Sequence, residues 1–380
     1  MSQPQTLPLL SFFADLPDPR VERTRHHKLL DIIGLTVCAV IAGADDWVHV
    51  ERFGQAKIAW LKTFLDLSNG IPSHDTIGRV FASLDAEQFA SGFSAWVAGF
   101  TEKLGLKHVA IDGKCLRRSG DSAKGKKALH AVSAWSCEAR LTLGLTVVDQ
   151  KSNEITAIPK LLQLLELEGA LVTIDAMGCQ KEIAADIRAA GADYLLHVKG
   201  NQPRLQEDVE AIFEAFVDSD MAVGCHDRHE TTEKGHGREE ERSVWVFTQV
   251  ESIRDKELWE DLKSLVVVWR GRKIGDKQSG ELSYYISSRL AGAKEFAAAT
   301  RGHWGIENGC HWVLDVAFRE DLSRVREGNA ATNFAIVRRM ALAMLKRVEG
   351  AKGGVGTRRL TAGWDTTFLE KVLQVEPPSN

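Results

Sequence analysis

The stretch His108-Val109-Ala110-Ile111-Asp112-Gly113-Lys114 decides how this chain is read. A short apolar run closed by a turn-forming glycine reads as a buried strand, and the carboxylate at its end is costly to bury without a partner. Two further segments pose the same problem. Leu171-Val172-Thr173-Ile174-Asp175 is a second apolar run ending in an acid, and Glu307 lies inside a long helical tract. Hard cations such as Mg²⁺ take oxygen ligands from carboxylates, so metal binding explains three acids at the edges of apolar elements.

Around the first stretch, residues 108–116, 130–137 and 140–148 have strand character, the last two joined by the short Glu138-Ala139 turn. A helix at 159–167, a strand at 171–174, a helix at 180–190 and a strand at 194–198 follow, giving the order βββαβαβ. After a helix at 205–216 the chain turns polar, with strands expected at 242–248, 265–269 and 283–287. Helical periodicity resumes over 293–318 and 329–348, before a tail containing Gly and Pro. Residues before about 105 read as helical, with a helix start at Pro72-Ser73-His74-Asp75, where Ser73 or Asp75 caps the next helix. That Ser-His-Asp triplet is a cap rather than a hydrolase triad, because adjacent residues rarely converge in the required geometry. The expected division is 1–105, a helical N-terminal domain; 106–216 and 291–350, the two parts of a core; 217–290, a β-rich insertion; and 351–380, a tail.

Composition narrows the function. With 380 residues and 44% apolar content the chain can bury a sizeable core. Neither a basic leader with an apolar stretch nor a membrane-length apolar run is evident, so no membrane partner and a cytoplasmic location are expected. Six cysteines without a Cys-x-x-Cys pair suggest neither a zinc ribbon nor a disulfide framework. The formal net charge of −4 leaves no global basic footprint, so any nucleic-acid contact must be local.

The order of three strands, helix, strand, helix, strand and a later helix is that of a ribonuclease-H-like fold, a mixed sheet flanked by helices. Here it carries a β-rich insertion before the last catalytic helix and a helical N-terminal domain. In that family the acids lie on the first strand, at the end of the fourth strand and on a later helix, as Asp112, Asp175 and Glu307 do. The stretches Ala110-Ile111-Asp112-Gly113-Lys114, Thr173-Ile174-Asp175-Ala176, His197-Val198-Lys199-Gly200-Asn201-Gln202, Arg301-Gly302-His303-Trp304-Gly305-Ile306-Glu307-Asn308 and His311-Trp312-Val313-Leu314-Asp315-Val316 resemble bacterial insertion-sequence transposases of the H-repeat-associated group, within the DDE superfamily. So does Gly70-Ile71-Pro72-Ser73-His74-Asp75-Thr76.

The resemblance implies metal-dependent cleavage of insertion-sequence ends and strand transfer into target DNA. It assigns Asp112, Asp175 and Glu307 as catalytic, metal-binding residues, Mg²⁺ as cofactor with Mn²⁺ as substitute, double-stranded DNA (terminal repeats and target) as partner, a dimer on DNA, and association with the nucleoid. Hairpin-forming relatives carry Tyr, Arg and Lys at fixed offsets from the Glu. This chain has Thr300, His303 and Val313 there, with Arg301 nearby but out of register, so a hairpin intermediate is not implied. Two other readings stay open: a catalytically inactive, transposase-derived DNA-binding protein, and a metal-dependent nuclease without joining activity.

For DNA contact the residues singled out are Lys114, Arg117 and Arg118, in a basic span with Lys124, Lys126 and Lys127; Lys199 and Asn201 after a strand; and Arg301, His303 and His311. His303, Glu307 and His311 recur at i, i+4, i+8 and are expected along one helix face, flanking the phosphate or hydrogen-bonding Glu307. Zinc is disfavoured because the His-Glu-x-x-His signature is absent. Arg338, Arg339, Lys346 and Arg347 suggest an amphipathic helix on the core. Recognition of the element's ends is expected from the N-terminal domain, although no helix-turn-helix signal is evident. Most of the ten tryptophans are read as core, with Trp304 and Trp312 among those able to stack on bases.

Overall fold

The structure, a computed structural model, describes residues 7–102, 105–121, 125, 127–148, 154–235 and 237–377. Its centre is β1 (His108–Leu116), whose Val109, Ala110 and Ile111 are fully buried because both faces of the sheet are covered there. β1 pairs antiparallel with β2 (Leu129–Ser136), and β2 with β3 (Leu141–Val148). On its other side β1 runs parallel to β4 (Leu171–Ile174), which runs parallel to β5 (Asp193–Val198).

The later β-rich block continues this sheet. β9 (Lys277–Ser287) pairs antiparallel with β5, and β8 (Ser264–Ile274), β7 (Arg238–Phe247) and β6 (Asp227–Gly235) follow outward. The nine strands lie in the order β3-β2-β1-β4-β5-β9-β8-β7-β6. β6 was not expected. Its sequence, Asp-Arg-His-Glu-Thr-Thr-Glu-Lys-Gly, has no apolar alternation because the strand lies at a solvated edge, where charge discourages further pairing.

Helices cover both faces. α5 (Glu154–Leu162) sets Glu154 against Gly113 and packs on α6 (Lys181–Ala189). α7 (Pro203–Asp218) lays Phe213 and Phe216 on Trp245 and Phe247. On the opposite face α8 (Ala293–His303) buries Phe296 among Leu171, Leu195, Val244, Val266 and Tyr285. α5 begins earlier than the expected 159–167, with Pro159 inside it. Its buried Ala157, Ile158, Leu161 and Leu162 offset the missing backbone donor.

The N-terminal part forms α1 (Leu29–Ile41), α2 (Trp47–Leu61), α3 (His74–Ser83) and α4 (Ala86–Thr101). Ser73, not Asp75, caps α3, accepting from the Thr76 amide, while His74 turns to Glu51 at 2.6 Å, so the triplet is a cap. α10 (Ala330–Arg347) packs against α1, α3 and α4, and one apolar cluster runs from α1 through the sheet. The expectation of an amphipathic α10 needs correction: it is buried nearly all round, with Arg338 and Arg339 inside. Their charge is met by Glu320, itself buried, at 4.0 and 3.1 Å.

The tail is folded too. α11 (Val355–Trp364) and α12 (Thr366–Leu373) close on the N-terminal helices, where Lys57 reaches Thr366 and Trp60 reaches Glu370. The glycines Gly350, Gly353 and Gly354 that suggested a tail only precede α11. Among the described residues no helix is long and apolar enough to cross a membrane.

Arg359 fixes this closure. Its buried guanidinium donates to the carbonyls of Val40, Ala44 and Ala317 and to Asp45. Arg359→Ala leaves these acceptors without a donor, and we expect a loss of about 2–4 kcal/mol of stability, read as a lower urea midpoint. An unchanged midpoint would show that α11 does not secure the N-terminal helices.

Candidate active site

Parallel register sets the site. Ile111 lies opposite Ile174 and Leu196 opposite Ile174, so the next position on each strand brings Asp112, Asp175 and His197 into one row. Tyr285 of β9 faces His197 and extends the row. Side chains alternate across a strand, and Thr173 pairs with Leu195, which packs beneath α8. The row therefore shares the α8 face.

The third acid arrives by a break in the helix. The expected continuous helix 293–318 is interrupted: α8 ends at His303, Glu307–His311 form a π-helical turn in which the Trp312 amide bonds the Glu307 carbonyl, and α9 (Trp312–Phe318) follows. A π turn is wider than an α turn and shifts the side-chain register. The equal spacing of His303, Glu307 and His311 therefore does not make one face. His303 points at the Thr173 hydroxyl, 3.0 Å away, Glu307 is exposed, and buried His311 sets Nδ1 3.4 Å from the Asp112 carboxylate. One helical turn beyond His311, Asp315 bonds Lys114 at 2.6 Å, and Lys114 lies two residues beyond Asp112. A turn of helix matches two residues of strand in length, so these two contacts fix the helix carrying Glu307 in register on β1.

Electrostatics tie the acids together. Burial, then the Asp175 charge, with Glu307 and Glu154 adding, pushes Asp112 up to about 7; the Gly113 amide opposes this. The Asp112 and Asp175 carboxylates each accept backbone amides, from Gly113 and from Met177 and Gly178. Among the described residues no three His, Cys, Asp or Glu side chains are gathered closely enough to hold a metal as they stand. The donor set nevertheless suits a hard divalent ion. It consists of oxygen ligands whose mutual repulsion a cation relieves, and His311 supplies no charge because burial holds it neutral.

The other expected contacts divide. Lys114 is 9% exposed and held by Asp315, Glu320 and Asp321, so the expectation that it grips DNA is corrected: its ammonium is satisfied within the fold. Arg117 and Arg118 are exposed, Arg117 beside Asp321. Lys124 and Lys126 lie outside the described residues. Lys199 is exposed at a recess of about 130 Å³ lined by Thr173, Asp175, His197, Tyr285 and Trp304. Asn201 donates to the Ala176 carbonyl, which makes it a turn residue. Arg301 pairs with Glu233. Trp304 and Trp312 are both exposed rather than core.

Sequence reasoning missed His197, Tyr285, Arg270 and the hydrogen-bonded set in which Thr173 lies between His108 and His303, at 2.9 and 3.0 Å. Only strand register brings these together. His197 lay within a quoted stretch, yet nothing in the chain aligned it with Asp175.

Four of these histidines link the site to acid stability. Burial, the first cause in each case, holds His108 and His303 at about 4 and His197 and His311 at about 3. Unfolded, each titrates near 6.5. As pH falls below that value the unfolded chain takes up protons that the folded chain refuses, and stability drops. Asp112, raised in the folded state, works in the opposite direction with one proton. The net effect is a loss of roughly 3 kcal/mol between pH 6 and 5. Urea unfolding in metal-free buffer measures it, and flat or rising stability over that interval would contradict the burial of these rings.

Comparison with known proteins identifies the family. Residues 10–97 match the family model described as DDE_Tnp_1-associated, and residues 103–344 the model described as Transposase DDE domain. The chain is 45% identical to "Putative transposase YncI" of Escherichia coli O157:H7, over 96% of this chain and 94% of that protein. It is 40% identical to "H repeat-associated putative transposase YhhI" of Escherichia coli K12, over 96% and 97%. A 72-residue match at 47% identity, 19% of this chain and 86% of the relative, is to "Inactive transposase YbfQ" of the same strain. This chain belongs to the DDE transposase family, among the relatives of the H-repeat-associated group.

Proposed function

We propose that the protein is an active DDE transposase that cleaves the ends of its insertion sequence and joins them to target DNA. In this reading β1 to β5 with their helices are a ribonuclease-H-like core, and β6 to β9 are its insertion. The observation that supports the proposal is the strand register that sets Asp112 and Asp175 side by side, with burial first and then the Asp175 and Glu307 charges raising the Asp112 proton affinity. Carboxylates that repel one another at a partly buried site are stabilised by a divalent cation.

Asp112, Asp175 and Glu307 would hold Mg²⁺, with Mn²⁺ as substitute. When bound, the ion supplies Lewis-acid stabilisation of charge building on a phosphodiester. The chain's own residues would do the rest: His311 and the Lys114–Asp315 pair hold the Glu307 helix against β1, and Lys199, Arg117 and Arg118, which are exposed, would meet the phosphates. Double-stranded DNA is the substrate, and joining two ends calls for a dimer on DNA. The helical N-terminal part, residues 1–105, is the natural reader of those ends.

The three acids being intact favours activity over a purely DNA-binding derivative. Asp112→Asn, Asp175→Asn and Glu307→Gln are each expected to lower Mg²⁺-dependent end cleavage by more than about a hundredfold, since a ligand matters at least as much as its supporting shell. DNA binding should persist. Chelation should abolish cleavage in the wild type, and Mn²⁺ should restore it. Undiminished cleavage by any one variant overturns the proposal, while cleavage without strand-transfer products favours a nuclease.

A further inference from the structure

The outer strands carry their charge unevenly. Beyond Val244, Val246, Val266 and Val268, buried beneath α8, the same face of β6 to β9 becomes solvated. Register places Arg242 opposite Arg270, Glu240 opposite Arg272, and Arg238 opposite Ile274, which in turn faces Lys277. This face holds five cations, Arg238, Arg242, Arg270, Arg272 and Lys277, against four acids, Asp227, Glu233, Glu240 and Glu281, and Asp227 is taken up by the Ala293 amide of α8. On the reverse face Arg228, Lys234 and Lys273 balance Glu230, Glu239 and Glu241. A balanced mixture is enough to keep edge strands soluble, so the excess on the α8 face calls for another cause.

The local arrangement points the same way. Like charges directly across a strand pair are destabilising, yet Arg242 and Arg270 stand so, with Arg301 from α8 as a third guanidinium. Glu240 answers Arg242 and Glu233 answers Arg301. Among the described residues Arg270, Arg272 and Lys277 form no ion pair. Arg270 instead donates to the Tyr285 hydroxyl at 3.1 Å and lies 5.9 Å over Trp304, the residue next to His303. Its charge also helps to lower His197 and His303. Arg270 thus links this face to the row containing Asp175.

We infer that this solvated face of β7, β8 and β9 docks the phosphate backbone of a DNA duplex and leads it to the carboxylates. The inference rests on the transposase reading and adds to it the surface that holds the flanking DNA. The cations are spread along adjacent strands at two-residue intervals, about 7 Å apart, rather than converging on a point. That spacing suits an extended polyanion better than a single small anion.

The test uses the full chain and a short fluorescent duplex of arbitrary sequence, with chelator present so that no chemistry intervenes. Anisotropy gives the affinity between about 50 and 200 mM salt. A triple variant, Arg242→Gln, Arg270→Gln and Arg272→Gln, is compared with a reverse-face control, Arg228→Gln, Lys234→Gln and Lys273→Gln. Loss of three phosphate contacts should reduce the salt slope by about 3 and weaken binding to all sequences alike, while the control keeps the wild-type slope. A cooperative melt of the triple variant above the assay temperature shows that it is folded when its slope is read. Equal slopes in the triple variant and wild type, or equal losses in both variants, overturn the inference. In that case cleavage that is present in wild type and absent in Asp112→Asn leaves the transposase reading standing. A wild type that binds no duplex overturns both.

Discussion

The parallel pairing of β1 with β4 is the constraint on which the site depends. Hydrogen-bond register leaves no freedom: once Ile111 and Ile174 are opposed, the following residues, both aspartates, leave the paired region side by side on one face. Apolar burial of Val109 to Ile111 and of Leu171 to Ile174 holds that register. A slip by one residue would turn either acid into the opposite layer. The repulsion between the acids is thus imposed by the buried packing of the two strands.

Around this pair the charge of the interior is arranged in layers. Lys114 meets Asp315, Glu320 and Asp321, and Glu320 meets Arg338 and Arg339 of α10. The cations of the molecule are therefore of two kinds. Some, such as Lys114 and Arg339, neutralise buried acids and fix helices to strands. Others, such as Arg270 and Arg272, form no ion pair among the described residues, and Arg272 is exposed. Removing one partner of a buried pair is costly because the other charge is left stranded, whereas exposed pairs contribute little.

The elements with strong apolar periodicity were legible in the sequence: β1 to β5, α6, α7 and α10 fall within a few residues of expectation. Ser73 as a cap was legible because capping chemistry is local. β6 was not, since a solvated edge strand needs no apolar alternation, nor were α11 and α12, whose packing on distant helices compensates for their glycine-rich approach. The acids could be picked out because each closes an apolar run or lies in a helical tract. The π turn could not: spacing of i, i+4, i+8 presumes an unbroken helix, and the break shows only once Glu307 and His311 take different surroundings. The buried state of Lys114 depends on Glu320, more than 200 positions away, which no local pattern reveals.

One more feature bears on the helix that leads to Glu307. The outermost strand, β6, grips α8 at both ends: Asp227 accepts the Ala293 amide at 2.7 Å, and Glu233 pairs with Arg301. Edge strands are ordinarily the first part of a sheet to fray. Here fraying would unbuckle the helix that presents the third acid, so the periphery and the chemistry share one mechanical fate. A polar ribbon that contributes little to the core acts as a strap, and its integrity limits how long the carboxylates can stay poised.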